Sequence, residues 1–202
     1  MKNLEVTLAI LKPDVLSHPI IAQCIKNTIL RNNFFIVRSQ TVILTKQKVE
    51  EFYRDHKGKF FHNRLVTFMQ SGPVSAHVLA RQDAISHWRK IMGPTKVFRT
   101  IFKEPNSIRG QYGLTDTRNC AHGSDSPISA AKEIQIFFPD FSIDEWYRSK
   151  GHLFTRDNVV FDEQSQAHVL LKDINSSRVQ YITNPITNIG NVKGFSFNKE
   201  DS

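Results

Sequence analysis

One histidine of this sequence has neighbours of the type and spacing that nucleophilic chemistry requires. His122 lies in the run NCAHGSDS, directly after a short apolar stretch. Ser126 is a favourable helix N-cap, and Pro127 suits the first helical position, where its missing N–H removes no hydrogen bond. A helix over roughly 128–138 would carry Glu133 on its second turn, from which the carboxylate could point back at the histidine ring. A histidine held by a carboxylate is an oriented nucleophile. A surface histidine in a capped turn is the alternative that spacing alone leaves open.

The elements before this histidine predict how it is positioned. Residues 6–11 (VTLAIL) are a continuous apolar run and predict a buried strand. Pro13 ends that strand, so Lys12 lies at its carboxyl end, where ligands often bind in open α/β sheets. An ordinary strand-end lysine is the alternative. The remaining pattern predicts helices over 19–33, 46–56, 62–71 and 83–92, strands over 34–44 and 74–80, and a short strand before His122. This βαββαβ order, with a helical hairpin inserted after the second strand, predicts an α+β fold of the ferredoxin-like type. The stretch 95–109 is predicted to be irregular.

The length and composition predict one domain with an extension. With 202 residues, 40% of them hydrophobic and 15 of them Phe, the chain can bury a sizeable core. We expect a domain over 1–155 and a partly mobile extension over 156–202, with short strand-like runs at 169–171 and 179–182. The sequence contains no apolar run of the ~20 residues that would span a bilayer. Its two cysteines are far apart and predict free thiols in a reducing compartment, hence an intracellular protein of the cytoplasm or mitochondrion.

The charge favours anionic ligands. The net charge is +8, and because residues 156–202 carry −1, the body carries +9. A basic body suits polyanions from nucleotides to nucleic acid, although a solvated basic surface has the same composition. The sequence has neither a G-x-x-x-x-G-K-[ST] nor a G-x-G-x-x-G motif, so a nucleotide would need a different cradle. Cys120 and His122 lack further ligands, and the other histidines have no ligand spacing, so we expect no protein-held metal.

Several separate motifs resemble those of the nucleoside diphosphate kinases, in family order over roughly residues 5–140. The run N-x-x-H-G-S-D-S is similar to the active-site motif of that family. The other matching blocks are Leu11-Lys12-Pro13-Asp14, Phe52-Tyr53 with Phe61, Ser71-Gly72-Pro73-Val74, Arg89 with Met92-Gly93-x-Thr95, Ser107-Ile108-Arg109-Gly110, and Ser129-Ala130 with Glu133. In detail the chain most resembles a divergent branch of the family.

This resemblance implies an activity and a set of site residues. The implied reaction transfers the γ-phosphate of ATP to nucleoside diphosphates by a ping-pong mechanism through phosphohistidine at His122, with Mg²⁺ carried by the nucleotide. Glu133 would hold the histidine ring, and Ser124 and Tyr53 would complete its hydrogen-bonding shell. Phe61 would stack on any base, because every base has a π-face. The implied nucleotide-binding residues are Lys12, Phe61, Leu65, Arg89, Thr95, Arg109 and Asn119, with Lys12 also reaching the transferred phosphoryl group.

Three departures from the family leave a second interpretation open. Asp116 stands where the family usually has a small apolar residue facing the base, and could discriminate between bases or weaken binding. The stretch 95–109 is longer than in common members, where it helps to hold a hexamer, so we expect a monomer or dimer rather than a hexamer. The extension has no counterpart in short members. The alternative is therefore a weakly active or inactive kinase-like protein that acts as an interaction module for a partner, with a mitochondrial partner implied by the divergent branch. Nucleic-acid binding by the basic body is a third hypothesis, and we do not expect nucleic acid to be the main partner.

Overall fold

A computed structural model of the chain describes residues 4–174, and a four-stranded antiparallel sheet forms its centre. The order of the strands across the sheet is β2-β3-β1-β4. The strands are β1 (Glu5–Leu11), β2 (Phe35–Val42), β3 (Val74–Arg81) and β4 (Ala121–Gly123). Together with the helices between them they form the ferredoxin-like α+β sandwich, so the predicted fold class is confirmed.

Helices cover both faces of this sheet. Those before β3 are α1 (Pro13–Leu16), α2 (Pro19–Arg31), α3 (Lys46–Phe52) and α4 (His62–Met69), with a 3₁₀ turn at Arg54–His56. Those after β3 are α5 (Ala84–Met92), α6 (Val97–Lys103), α7 (Ile108–Tyr112), α8 (Pro127–Phe137) and α9 (Ile143–Ser149), followed by a 3₁₀ turn at Gly151–Leu153. The pair α3–α4 is the predicted helical hairpin between β2 and β3.

The central strand β1 divides the core into two layers. Successive side chains of a strand point to opposite faces of the sheet. Leu8 and Ile10 therefore pack in one layer with α3, α4 and α8, and Ala9 and Leu11 pack in the other with α2 and α5. All four side chains are buried. Because β1 is covered on both faces, its continuous apolar run is explained, and its carboxyl end is held rigidly where Lys12 follows.

The stretch predicted to be irregular, 95–109, contains helix α6 and the start of α7, so that prediction was wrong. The inward residues of α6, Val97 and Thr100, are buried and lie three positions apart. The N-terminus of α6 is capped by the carboxylate of Asp116, far along the chain, so the local sequence carries no cap signal. The outward residues Phe98 and Phe102 are 64% and 80% exposed, which weakens the amphipathic pattern that a helix prediction needs.

The beginning of the extension folds back on the sheet. Strands β5 (Val159–Asp162) and β6 (Ala167–Leu170) form an antiparallel hairpin that packs beside β2. The backbone N–H of Ile36 donates to Nδ1 of His168 at 2.8 Å. The predicted run at 179–182 lies outside the described residues. Over residues 4–174, none of the helices has the length and apolar character needed to cross a membrane.

Candidate active site

The backbone of His122 is fixed by its neighbours on the sheet and on α5. His122 lies in β4, paired with Ile10 of β1, and the indole N–H of Trp88 donates to its carbonyl oxygen at 3.0 Å. The next residue must be glycine, because a Cβ at Gly123 would lie 2.4 Å from Cδ1 of Trp88. On the other side Cys120 has a positive φ of 70°, and its N–H donates to Oδ2 of Asp14 at 3.0 Å.

The ring of His122 is oriented by a carboxylate. Its Nε2 lies 2.9 Å from Oε2 of Glu133, on the second turn of α8. A carboxylate accepts hydrogen bonds, so this partner assigns the ring proton to Nε2 and leaves the lone pair on Nδ1. Oε2 of Glu133 also accepts the hydroxyl hydrogen of Ser124 at 2.7 Å, and Oγ of Ser124 accepts the buried N–H of Leu8 at 3.2 Å. Ser124 therefore acts on the imidazole through Glu133, where the resemblance had implied a place in the shell around the ring.

His122 lines a cleft of about 440 Å³ that collects the residues singled out in the sequence. This volume lies in the range of small-molecule sites. Of the eleven candidate residues, Ser124 lies behind Glu133, and the other ten line the cleft: Lys12, Tyr53, Phe61, Leu65, Arg89, Thr95, Arg109, Asn119, His122 and Glu133. They come from six separate stretches of the chain, so the fold itself assembles the cleft.

A buried lysine lies beside the nucleophile candidate. Lys12 is only 4% exposed, and its Nζ donates to Oδ1 of Asn119 at 2.6 Å. Its own N–H donates to the carbonyl of Cys120 at 2.9 Å, which ties the end of β1 to the turn before His122. Burial, and then the charge of Arg109, lower the pKa of Lys12 to about 8. Lys12 is therefore still mostly protonated at neutral pH, in a site that would favour an anionic ligand.

The two candidate arginines of the cleft differ in how they are held. Arg109 is 8% exposed and donates to the carbonyls of Asn119, Gly93 and Ala121 at 3.2, 2.7 and 2.8 Å. A guanidinium has five N–H donors, so one N–H on each terminal nitrogen remains for a ligand. Burial lowers the pKa of Arg109 to about 10, which leaves it charged at neutral pH. Arg89, on the last turn of α5, is exposed.

Comparison with known proteins decides the family. A family model described as nucleoside diphosphate kinase matches residues 5–143 of the chain. The chain belongs to the nucleoside diphosphate kinase family. It is 50% identical to nucleoside diphosphate kinase 6 of Danio rerio over 170 aligned residues. This alignment covers 84% of this chain and 97% of that protein. It is also 52% identical to nucleoside diphosphate kinase 6 of Homo sapiens over 165 aligned residues. That alignment covers 82% of this chain and 89% of the human protein.

A solved structure agrees with this assignment. The crystal structure of the Aquifex aeolicus nucleoside diphosphate kinase is similar with a TM-score of 0.64 and 39% sequence identity. The alignment covers 70% of this chain and 98% of that chain. The resemblance of the motifs to this family is thus confirmed, and the fold that carries the cleft is the family fold.

Aromatic residues form part of the wall of the cleft, and two of them were missed in the sequence. The ring of Phe52 meets the ring of His122 edge-on, with centroids 4.8 Å apart. The ring of His56 stacks on Tyr53 at 5.8 Å and meets Phe61 edge-on at 5.5 Å. The sequence gave Phe52 no role beyond its place in a matching block, and His56 was considered only as a metal ligand. Neither residue has a spacing that signals the contact: Phe52 is the last residue of α3, and His56 ends the 3₁₀ turn that follows.

The structure gives Tyr53 a protonated hydroxyl at this wall. Burial, and then the carboxylate of Glu133, raise the pKa of Tyr53 above its usual value. Within residues 4–174 its hydroxyl makes no hydrogen bond to His122. In this range the side chain that hydrogen-bonds the ring nitrogens of His122 is Glu133, and Phe52 meets the ring edge-on. Tyr53 can still donate to a ligand in the cleft.

Asp116 lies in the cleft with both carboxylate oxygens engaged. Oδ1 accepts the N–H of Val97 at 3.1 Å, and Oδ2 lies 3.0 Å from Nζ of Lys96. The negative charge that the sequence placed near the base is thus partly balanced by Lys96, and its orientation is fixed by the N-terminus of α6.

Proposed function

We propose that this protein is a nucleoside diphosphate kinase that carries the phosphoryl group on Nδ1 of His122. The observation that supports this most directly is the 2.9 Å contact between Nε2 of His122 and Glu133, in a cleft that also contains Lys12 and Arg109. With the proton on Nε2, where this contact would hold it, the lone pair of Nδ1 is available to attack phosphorus. The two cations supply the positive charge that phosphoryl transfer requires.

The reaction has two balanced halves. The bond between the γ-phosphorus of ATP and its bridging oxygen breaks, a bond forms between that phosphorus and Nδ1 of His122, and ADP leaves. A nucleoside diphosphate then binds in the same cleft. Its terminal β-phosphate oxygen attacks the phosphorus, the nitrogen–phosphorus bond breaks, and the triphosphate leaves. The phosphorylated ring keeps its Nε2 proton and is more cationic, so the carboxylate of Glu133 stabilises it.

The other residues of the cleft divide between the two ends of a nucleotide. Phosphate oxygens would accept hydrogen bonds from Arg89, Arg109, Thr95 and Lys12, and the ribose hydroxyls would contact Lys12 and Asn119. Phe61 and Leu65 would cover the base. Because stacking on Phe61 tolerates any base, broad nucleotide specificity is expected.

Magnesium would reach this cleft bound to the nucleotide. Residues 4–174 contain no group of three or more His, Cys, Asp or Glu side chains arranged to hold a metal ion. Mg²⁺ commonly binds through substrate phosphates with only one or two protein carboxylates, so it would enter the cleft together with ATP. Such an ion neutralises phosphate charge.

The proposal is tested by labelling the purified protein. After incubation with γ-³²P-ATP, the wild type should carry acid-labile, alkali-stable label, and addition of GDP should move the label to GTP. His122→Ala should carry none. His152→Ala is the matched control, because His152 is exposed and lies outside the cleft. Undiminished label on His122→Ala would show that the nucleophile is another residue.

A second candidate function is supported by one surface. The outer face of α6 exposes Phe98 and Phe102, at 64% and 80%, beside the basic Arg99 and Lys103. Such a face fits a protein whose main role is to bind another protein and whose cleft is weakly active or inactive. The partner that the resemblance implies is a mitochondrial protein. A coupled assay of triphosphate formation separates the two functions. Brisk turnover by the pure protein contradicts the partner-dependent version, and turnover that appears only with a partner supports it.

A further inference from the structure

Asp116 connects two walls of the cleft through a continuous set of hydrogen bonds. Its carboxylate holds the N–H of Val97 at 3.1 Å and the ammonium of Lys96 at 3.0 Å. Its backbone carbonyl accepts Nδ2–H of Asn119 at 2.9 Å. Oδ1 of Asn119 in turn accepts from Nζ of Lys12 at 2.6 Å. The start of α6 is therefore linked to the buried lysine at the end of β1.

The segment that this connection holds contributes two side chains to the cleft. Thr95 and Lys96 both line it and both are exposed. At the near end of this segment, Nη1 of Arg109 donates to the carbonyl of Gly93 at 2.7 Å. At the far end, Asp116 holds Lys96 and the first N–H of α6. Because α6 has seven residues, it depends on this external cap more than a long helix would.

We propose that Asp116 is a positioning residue that sets the nucleotide affinity of the cleft by holding the Thr95–Lys96 wall against the Asn119–Lys12 pair. This rests on the proposed function, in which a nucleotide binds here. Preorganising Thr95 and Lys96 removes part of the ordering cost that a ligand would otherwise meet on binding. Asp116 acts through these neighbours and is not itself a catalytic residue.

Two other roles for Asp116 would give different results when its carboxylate is removed. If the carboxylate acted mainly as a negative charge near the phosphates, its removal would tighten the binding of an anionic nucleotide. If it contacted the edge of the base, its removal would change the ratio of affinities among different bases. The observed contacts favour positioning, because each oxygen already has a partner on the Lys96–Val97 side and the side chain cannot turn to the base without losing the cap.

The test compares Asp116→Ala, Asp116→Asn and the wild type by calorimetric titration with ADP, GDP, CDP and UDP. Asp116→Ala should weaken all four nucleotides by the same factor of about fivefold, as expected for loss of a helix cap at the site. Asp116→Asn keeps an oxygen for the N–H of Val97 and loses only the charge facing the exposed Lys96, so it should weaken binding by about twofold or less. Asp140→Ala, which removes an exposed carboxylate outside this cleft, is the control for net charge.

Two further readouts separate positioning from a loss of folded protein. In Asp116→Ala the KM for ATP in His122 phosphorylation should rise, while the rate at saturating ATP stays within about twofold of the wild type. Amide hydrogen exchange over Val97–Lys103 should become faster, with exchange in β1 unchanged. A variant that had merely unfolded in part would lose saturating rate and gain exchange throughout.

The outcomes that would overturn the inference are distinct from failure of the proposed function. Unchanged affinity, tighter affinity, or a base-dependent change in Asp116→Ala would each refute the positioning role while leaving phosphoryl transfer by His122 intact. A wild type that binds none of the four nucleotides and forms no phosphohistidine would overturn both.

Discussion

The pair formed by Glu133 and His122 permits a quantitative prediction about the first half-reaction. Glu133→Gln keeps the shape of the side chain and an oxygen that can still accept from Nε2 of His122, but it removes the negative charge. Both side chains are largely shielded from solvent, with 23% of His122 and 18% of Glu133 exposed, so the charge is only moderately screened. The variant therefore isolates the effect of the charge on the ring as that ring becomes cationic.

The expected size follows from the strength of the two kinds of hydrogen bond. A hydrogen bond to a charged group contributes about 1.5–3 kcal/mol, and one between neutral groups contributes about 1 kcal/mol. The loss in the transition state is thus about 0.5–2 kcal/mol. Because about 1.4 kcal/mol corresponds to a factor of ten, phosphorylation of His122 should slow by about 2- to 30-fold. Binding of ADP should change little, because within residues 4–174 the carboxylate of Glu133 is hydrogen-bonded to His122 and Ser124.

Rapid-quench measurement of label on His122 under single-turnover conditions gives this rate directly. Glu145→Gln, the same change at an exposed position of α9, is the matched control. Ser124→Ala provides a second comparison, because it removes one donor to Glu133 and also the acceptor for the buried N–H of Leu8. It should lower the free energy of unfolding by about 1–3 kcal/mol. It should slow phosphorylation of His122 less than Glu133→Gln does. A Glu133→Gln rate equal to the wild-type rate would refute the idea that the carboxylate stabilises the cationic ring.

Two further predictions concern Lys12 and Gly123, and a third concerns the oligomeric state expected from the longer stretch 95–109. The pKa of Lys12 is lowered to about 8, and its charged form would hold phosphate, so the affinity for ADP should fall as pH rises from 7 to 9. Lys12→Arg should remove this pH dependence. An ADP affinity of the wild type that does not change with pH would contradict this role of Lys12. Gly123→Ala places a Cβ 2.4 Å from Cδ1 of Trp88 and should lower the free energy of unfolding by about 1–3 kcal/mol in denaturant titration, whereas Gly151→Ala, with nearest atoms at 3.4 Å, should change it little. Light scattering on a gel-filtration column should give the mass of a monomer or dimer, and a mass near six times 23.2 kDa would show that prediction to be wrong.

The fold was predictable from sequence because its signals are local. The apolar run of β1 and the Ser126 cap of α8 each act within a few residues of where they lie, and the structure has both elements within one residue of the predicted bounds. The contact between Glu133 and His122 is also local in sequence, because α8 begins at Pro127, a few residues after β4 ends, and Glu133 lies on its second turn. The elements that position Lys12, His122 and Glu133 could therefore be predicted, because the signals for them lie next to them in the sequence.

The errors come from contacts between distant parts of the chain. Helix α6 was missed because its cap, Asp116, lies 19 residues beyond the N–H that it holds. The contact of Phe52 with His122 joins the end of α3 to β4, 70 residues further along the chain, and no periodicity reports such a contact. The hairpin of β5 and β6 was predicted only in part, because its first strand, VVFD, is too short to give a clear alternation.

The two arginines of the cleft differ in a way that a sequence cannot show. In the sequence, Arg89 and Arg109 each belong to a matching motif, and nothing there indicates that their side chains are held differently. In the structure, Arg109 is held by three backbone carbonyls before any ligand arrives, whereas Arg89 is exposed at the end of α5. Fixing a free arginine on binding costs about 0.5–1.5 kcal/mol in side-chain freedom, a cost that Arg109 has already met in folding. Equal hydrogen bonds from the two guanidinium groups to one ligand would therefore give unequal affinity, with the larger net contribution from Arg109.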